Sequence, residues 1–337
     1  MLPSRFENLL DLARLPFFEA RDGRLVLADP SLGPAIDLHT HLALSYVLPP
    51  RVDLLQGHNE TAHYLPKERS IDLEVYVNRN FAADDIQRLT KDLSTGSLTG
   101  SGMRQTHTMA NLSREMTELG ITQTVLLPID FPLLSDNAGH WLRTVRGRKD
   151  AVCFGSVHPY RPGMRRNLAR QMALGARGIK VHPAVQMVRP DDARAMKLYD
   201  LCGQNGLPVL FHCGPVDIET KLGRYLSQVR HYERALAENP QTTFILGHAG
   251  ALQMPEALAY AKKYRNVYLE LSSQSLSSVR QILDQAPGDR VVFGSDWPFY
   301  HQGIALAKVF LAAHEPALRR QVLYGNAARL FGLPAQE

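Results

Sequence analysis

Cysteine is scarce in this chain of 337 residues, which has only Cys153, Cys202 and Cys213. They are widely spaced and form no CxxC pair, which argues against a disulfide framework and favours a reducing cytoplasm. Cys213 directly follows His212, so strand alternation turns its side chain to the opposite face, into packing. Long hydrophobic runs are also absent, and none approaches the length of a transmembrane helix. The N-terminus, MLPSRFENLLDLARL, carries acidic residues and lacks an uninterrupted apolar core with a small-residue cleavage site, which makes it a poor signal peptide. Nor does charge of one sign dominate. Lys and Arg total 38 against 33 Asp and Glu, a net +5. Both signs are interspersed, so no nucleic-acid or membrane partner is indicated, and a mild preference for an anionic small molecule is all the excess supports. Two catalytic signatures are missing as well. Ser295 in GSDWP lies outside any GxSxG elbow. No GxGxxG opens a helix after a strand, and GSLTGSG lacks the lysine of a phosphate loop.

What is present is a repeating pattern. Hydrophobic residues make up 45% of the chain, ample for a large core. Eight short β-like runs follow one another: AIDLHTH from Ala35, ITQTVLLPI from Ile121, AVCFGSVH from Ala151, ARGIKVH from Ala176, LPVLFHC from Leu207, TTFILGH from Thr242, NVYLELS from Asn266 and RVVFGSD from Arg290. Their Val/Ile/Leu/Phe content is what burial on both faces of a parallel sheet requires. Segments such as MRRNLARQMALG, DARAMKLYDLCGQNG and MPEALAYAKKY lie between them and space their apolar residues by three or four, as helices do. Strands alternating with helices predict an α/β fold, a (β/α)₈ TIM barrel formed as one domain over residues 1–337.

One connection breaks the rhythm. The first strand ends near His41 and the second begins near Ile121, far more chain than one helix needs. The stretch contains DLSTGSLTGSGM and several polar or aromatic residues, among them His58, His63, Tyr64, Arg104 and His107. It reads as an insertion over the barrel mouth, residues 43–105, leading into the first barrel helix at roughly Thr106 to Leu119. The alternative is a peripheral embellishment that never meets substrate, and such insertions also mediate contacts in a homo-oligomer.

Strand ends carry the chemistry. Asp37, His39 and His41 are two residues apart and are expected on one face. An HxH pair alone is weak evidence, since two packed, hydrogen-bonded histidines give the same pattern. The remaining strands decide the matter: His212, His248 and Asp296 each end a separate run, and a barrel brings such ends together on its axis. Singly, a strand histidine is a satisfied core group and a terminal aspartate a helix cap. Together they point to a divalent metal.

At this point the chain resembles the metal-dependent amidohydrolase superfamily, and especially its amidohydrolase-2 branch, from Asp37 to the NAARLFGL ending. The resemblance implies that His39 and His41 bind the more buried metal, that His212 and His248 bind or face a second position, and that Asp296 contacts metal and shuttles protons. The branch contains hydrolases and non-oxidative decarboxylases. Lys180, in GIKVHP, resembles the lysine of phosphotriesterases and dihydroorotases, which is carboxylated and bridges two metals. An ammonium about 5 Å from a dication is repelled by several kcal/mol even at an effective dielectric near 20, so Lys180 is neutral, carboxylated or turned away. Its alternative is an ammonium paired with Glu270 or with a substrate carboxylate.

The expected activity is therefore that of a hydrolase using metal-activated water on an amide, lactone or ester of a small molecule, with Asp296 and His248 as catalytic groups. The metal is expected to be zinc, as one or two ions; manganese and iron accept the same ligands. His182 shares the face of Lys180, while His158, Trp297 and Arg104 border the mouth, and these four are the candidate substrate contacts, packing being the alternative. A second reading is a decarboxylase of an aromatic or unsaturated acid, with Arg104 or Lys180 gripping the carboxylate. A third is a non-catalytic barrel with a structural metal, whose loops bind a partner protein.

Overall fold

The structure, a computed structural model, describes residues 2–46, 51–99, 101–131 and 135–333. Eight parallel strands form the barrel: β1 (Ala35–Thr40), β2 (Ile121–Leu126), β3 (Ala151–Cys153), β4 (Ile179–Val181), β5 (Val209–His212), β6 (Phe244–Gly247), β7 (Val267–Glu270) and β8 (Val291–Val292). The first three and the last five are continuous ladders. Two parallel bridges, Gly155 to Ile179 and Thr40 to Trp297, join them into a ring. The second seam is reinforced where Leu38 N donates to Phe293 O at 3.0 Å and His41 N to Trp297 O at 2.7 Å. Several strands are shorter than their apolar runs; past Cys153 and past Val292 the chain keeps single backbone bonds rather than a ladder, such as Phe154 N to Leu126 O at 2.9 Å and Phe293 N to Val322 O at 3.2 Å.

Strict alternation fails in β1. Its pairing with β2 shifts register between Asp37 and Thr40, as a bulge does. Ile36 and Leu38 consequently pack in one apolar cluster with Val125, Leu210, Ile245 and Val292. Asp37 instead reaches Ser295 and Gln302, and the expectation that it shares a face with His39 and His41 is corrected.

The insertion holds helix α1 (Ala83–Leu93), and the first barrel helix, α2 (Met109–Glu118), starts at Thr108, whose side chain accepts from Asn111 N. Buried polar contacts fix the insertion. Tyr64 Oη donates to Asp92 Oδ2 at 2.8 Å, and Arg104 donates to Leu44 O and Asp92 O at 3.3 and 3.0 Å. Arg5–Phe6 pairs antiparallel with Ile71–Asp72, tying the N-terminal segment to it. The hairpin of Phe18–Arg21 with Arg24–Leu27 turns at Asp22 and Gly23, both at positive φ, the geometry that Asp-Gly hairpin turns adopt. Among the described residues, no helix is long and apolar enough to cross a membrane.

Candidate metal centre

The carboxyl ends of the strands open into a cavity of about 530 Å³, lined among others by His39, His41, Lys180, His212, His248 and Asp296. Hydrogen bonds fix which nitrogen each imidazole presents. His41 Nδ1 lies 2.7 Å from Leu127 O; a carbonyl only accepts, so Nδ1 carries the proton and Nε2 is bare, 3.3 Å from Asp296 Oδ1. His39 Nδ1 lies 2.6 Å from Glu270 Oε2, leaving Nε2 bare at 3.6 Å from the same aspartate oxygen and 3.1 Å from Lys180 Nζ. Ligand atoms of His39, His41 and Asp296 all lie within 4.8 Å of one another.

A second grouping of His39, His248 and Glu270 satisfies the same distance, but Glu270 is engaged as an acceptor. It takes His39 Nδ1–H, His248 N–H at 3.0 Å and Ser272 Oγ–H at 2.8 Å. Ser272 Oγ in turn accepts from His248 Nδ1 at 2.8 Å, which leaves His248 Nε2 bare toward His212 Nδ1 at 3.1 Å. A buried carboxylate so placed orients both imidazoles from behind, as such groups do for metal-ligating histidines. Gly294 makes room for it: a Cβ there would stand 2.2 Å from Glu270 Oε1 and 2.9 Å from His39 Cβ.

Two of these side chains sit on strained backbone, His248 at φ 55° and Asp296 at φ 67°, conformations that cost a non-glycine residue about 1–3 kcal/mol. Neighbours hold them there. Asp296 N donates to His39 O at 2.8 Å, and Gln274 Nε2 donates to His248 O and Ala251 O at 2.6 and 2.8 Å. Asp37 braces the turn before Asp296, accepting from Ser295 N at 2.9 Å, Ser295 Oγ at 2.5 Å and Gln302 Nε2 at 2.6 Å. Burial raises its pKa to about 6 against these bonds.

Burial also keeps the imidazoles neutral. Desolvation, followed by the Lys180 charge, lowers His41 to about 3 and His212 well below the usual histidine range; desolvation likewise drives down His39, His182 and His248. Neutral imidazoles are the form that binds metal. Desolvation lowers Lys180, with Asp296 and Glu270 opposing, and raises Asp296, with Lys180 opposing. The donor set therefore fits a divalent ion, provided that Lys180 withdraws its proton from His39 Nε2 as a free amine or as a carbamate.

The other sequence candidates separate. His182 lines the cavity and stacks on His212, ring centroids 3.9 Å apart. His158 engages both ring nitrogens, with Gln186 O and Tyr160 N, and faces a neighbouring hollow. Arg104 is buried against backbone carbonyls, outside the cavity lining. Trp297 is fully buried, and its Nε1 donates to Glu115 Oε2 at 2.9 Å. Lys180 bonds His39 rather than Glu270. Sequence reasoning missed the orienting role of Glu270 and Ser272. It also missed the insertion's share of the wall, Tyr46, Tyr76, Asn78, Leu89 and Leu93; no spacing rule flags such residues in an irregular segment.

A barrel that gathers imidazoles and a carboxylate at its strand ends is of the metal-dependent hydrolase and decarboxylase class. The family model described as Amidohydrolase matches residues 36–333, and the chain belongs to that family. No curated protein matches it. Solved structures share its fold. An uncharacterised TIM-barrel protein from Bordetella bronchiseptica is 20% identical with a TM-score of 0.64, covering 88% of this chain and 98% of its own. A dihydroxybenzoic acid decarboxylase from Polaromonas sp. JS666, with bound manganese and 2-nitroresorcinol, is 15% identical with a TM-score of 0.58, covering 89% and 98%. A probable 2-pyrone-4,6-dicarboxylic acid hydrolase from Acinetobacter baumannii is 12% identical with a TM-score of 0.52, covering 89% and 99%.

Proposed function

We propose that the protein is a metal-dependent hydrolase that cleaves an ester, lactone or amide of a small molecule with water. The observation that carries this reading is the position of Lys180, whose Nζ lies 3.1 Å from the bare nitrogen of His39. There a carbamate adds an anionic oxygen to the ligand set, whereas an ammonium would oppose it. In this reading His39, His41 and Asp296 would hold one ion and His212 and His248 a second, with carboxylated Lys180 as a further anionic ligand. Zinc is proposed; manganese and iron accept the same donors. The bound metal supplies a water whose pKa falls from 15.7 toward about 7, and a polarised carbonyl.

The chain's own groups do the rest. Asp296 takes the proton from the attacking water as its oxygen bonds the carbonyl carbon, then delivers it to the leaving oxygen or nitrogen as that bond breaks. Glu270 and Ser272 hold His39 and His248 in orientation, and His182 is proposed to contact substrate. If one ion is bound, His248 becomes the proton-transfer group. Three buried free thiols are compatible with a cytoplasmic location.

Turnover in ¹⁸O-water tests the reaction. Hydrolysis places the label in the acid product and releases no CO₂; unlabelled product with CO₂ release would establish decarboxylation instead.

A further inference from the structure

His182 lines the cavity with its ring turned the opposite way from the proposed ligands. In His39, His41 and His248 the protonated nitrogen faces a fixed acceptor behind the ring, and a lone pair is left toward the cavity. His182 instead gives its lone pair to the backbone. It is the N-cap of the short helix Pro183–Gln186, and its Nδ1 accepts from Val185 N at 3.4 Å. A backbone N–H only donates, so Nδ1 is bare and Nε2 carries the proton. A flipped ring would set a carbon against Val185 N. The residue is held from two further sides: His182 N donates to Gln186 Oε1 at 2.9 Å and Gln186 N to His182 O at 2.8 Å, while the ring lies on His212, centroids 3.9 Å apart and planes 7° from parallel.

The Nε2–H is open to the cavity. The residue is partly exposed there, and among the described residues no protein group bonds Nε2, which is not one of the sealed, unpartnered atoms of the wall. Its neighbours Ala184 and Val185 line the same wall, and their side chains offer only carbon. A molecule that fills this part of the cavity takes the place of solvent at the N–H. It must then bring an acceptor of its own or leave the donor unpaired, which weakens binding. Carbonyl, carboxylate and alkoxide oxygens can accept; an amine or amide N–H turned to the same point cannot.

We propose that His182 is a specificity residue that donates its Nε2–H to an oxygen of the substrate, beside the metal position at His212, and is not itself a metal ligand. The site thereby selects compounds that present an oxygen lone pair at this point, as esters, lactones and carboxylates do, over those that present an N–H. The inference rests on the reading of this cavity as the substrate site; the direction of the hydrogen bond is the same whether the reaction is hydrolysis or decarboxylation.

Benzohydroxamate, which chelates a divalent metal through two oxygens, is the probe, titrated by calorimetry into the metal-replete protein. His182→Phe keeps a ring against His212 and removes the donor; binding weakens about three- to tenfold, with metal content unchanged. His182→Gln sets an amide N–H near the lost one and recovers most of the affinity. ¹⁵N spectra of histidine-labelled wild type read the donor without any substitution: His182 carries its proton on Nε2 and none on Nδ1, and the Nε2 signal moves when benzohydroxamate is added. The proposal is overturned if wild type does not bind the probe, if the Phe variant binds it like wild type or loses metal, if the Gln variant is no better than the Phe variant, or if the spectra place the proton on Nδ1. Weakened binding in the Phe variant while wild type leaves 4-nitrophenyl butyrate intact counts against the hydrolase reading alone. Cleavage of that ester with benzohydroxamate binding indifferent to His182 counts against the donor alone.

Discussion

Replacing Asp37 tests how the ligand-bearing strand and the turn before Asp296 are held together. Its carboxylate accepts from His39 N at 3.1 Å and Ser295 N at 2.9 Å through Oδ1, and from Ser295 Oγ and Gln302 Nε2 through Oδ2. Asp37→Leu preserves the branched shape but strands two backbone N–H groups and the Gln302 amide; Ser295 Oγ retains a distant alternative in His39 O at 3.5 Å. At about 1–3 kcal/mol per buried unpaired donor, with partial relaxation, the loss comes to about 3–6 kcal/mol. Asp37→Asn is predicted to be mild. Its amide oxygen keeps both backbone donors, and Gln302 can rotate to offer its Oε1, now without a partner, to the new N–H; the cost is about 1 kcal/mol or less. Urea denaturation of metal-free protein, followed by fluorescence of the buried Trp141 and Trp297, measures both. Because Asp37 grips His39 and the residue before Asp296, His39 and Asp296 being proposed ligands, the Leu variant also loses about 10- to 100-fold in metal affinity, read by competition with a chelating dye. A Leu variant within about 1 kcal/mol of wild type, or an Asn variant equally damaged, would refute this bracing role.

Asp296→Asn removes the proton carrier while keeping an oxygen donor, and at least a hundredfold loss of turnover, roughly, is expected with metal still bound; near-normal activity would contradict the proton transfer. Trp297→Phe deprives Glu115 of a donor, so stability falls by about 1–3 kcal/mol with KM unchanged; a raised KM at full stability would return Trp297 to the substrate wall. Lys308 is buried with Nζ 2.6 Å from Gln274 O, and desolvation lowers its pKa to about 7. Between pH 7 and 10.5 the unfolded chain therefore binds the extra proton, so stability rises with pH across that window, by at most about 1.4 kcal/mol per pH unit. Lys308→Met abolishes this contribution, and equal pH slopes for variant and wild type would exclude it.

The barrel was legible because parallel strands buried on both faces leave continuous apolar runs, and because the barrel places each run's end at the mouth. That is why His39, His41, Lys180, His212, His248 and Asp296 are found on one cavity. Period-two alternation failed at Asp37 because a bulge is invisible in composition. Arg104 and Trp297 looked like mouth residues from their position in the sequence. Their surroundings proved to be carbonyls and a buried carboxylate, partners that lie far along the chain or in the backbone, where no motif records them. Glu270 carries no signature either; it acquires its role only from what the fold sets against it.

Elemental analysis of metal-replete wild type and Lys180→Ala reads out whether Lys180 contributes to holding a second ion. A carbamate at Lys180 predicts about two ions per chain in wild type, falling to about one in the variant. Unchanged metal content in Lys180→Ala would contradict it.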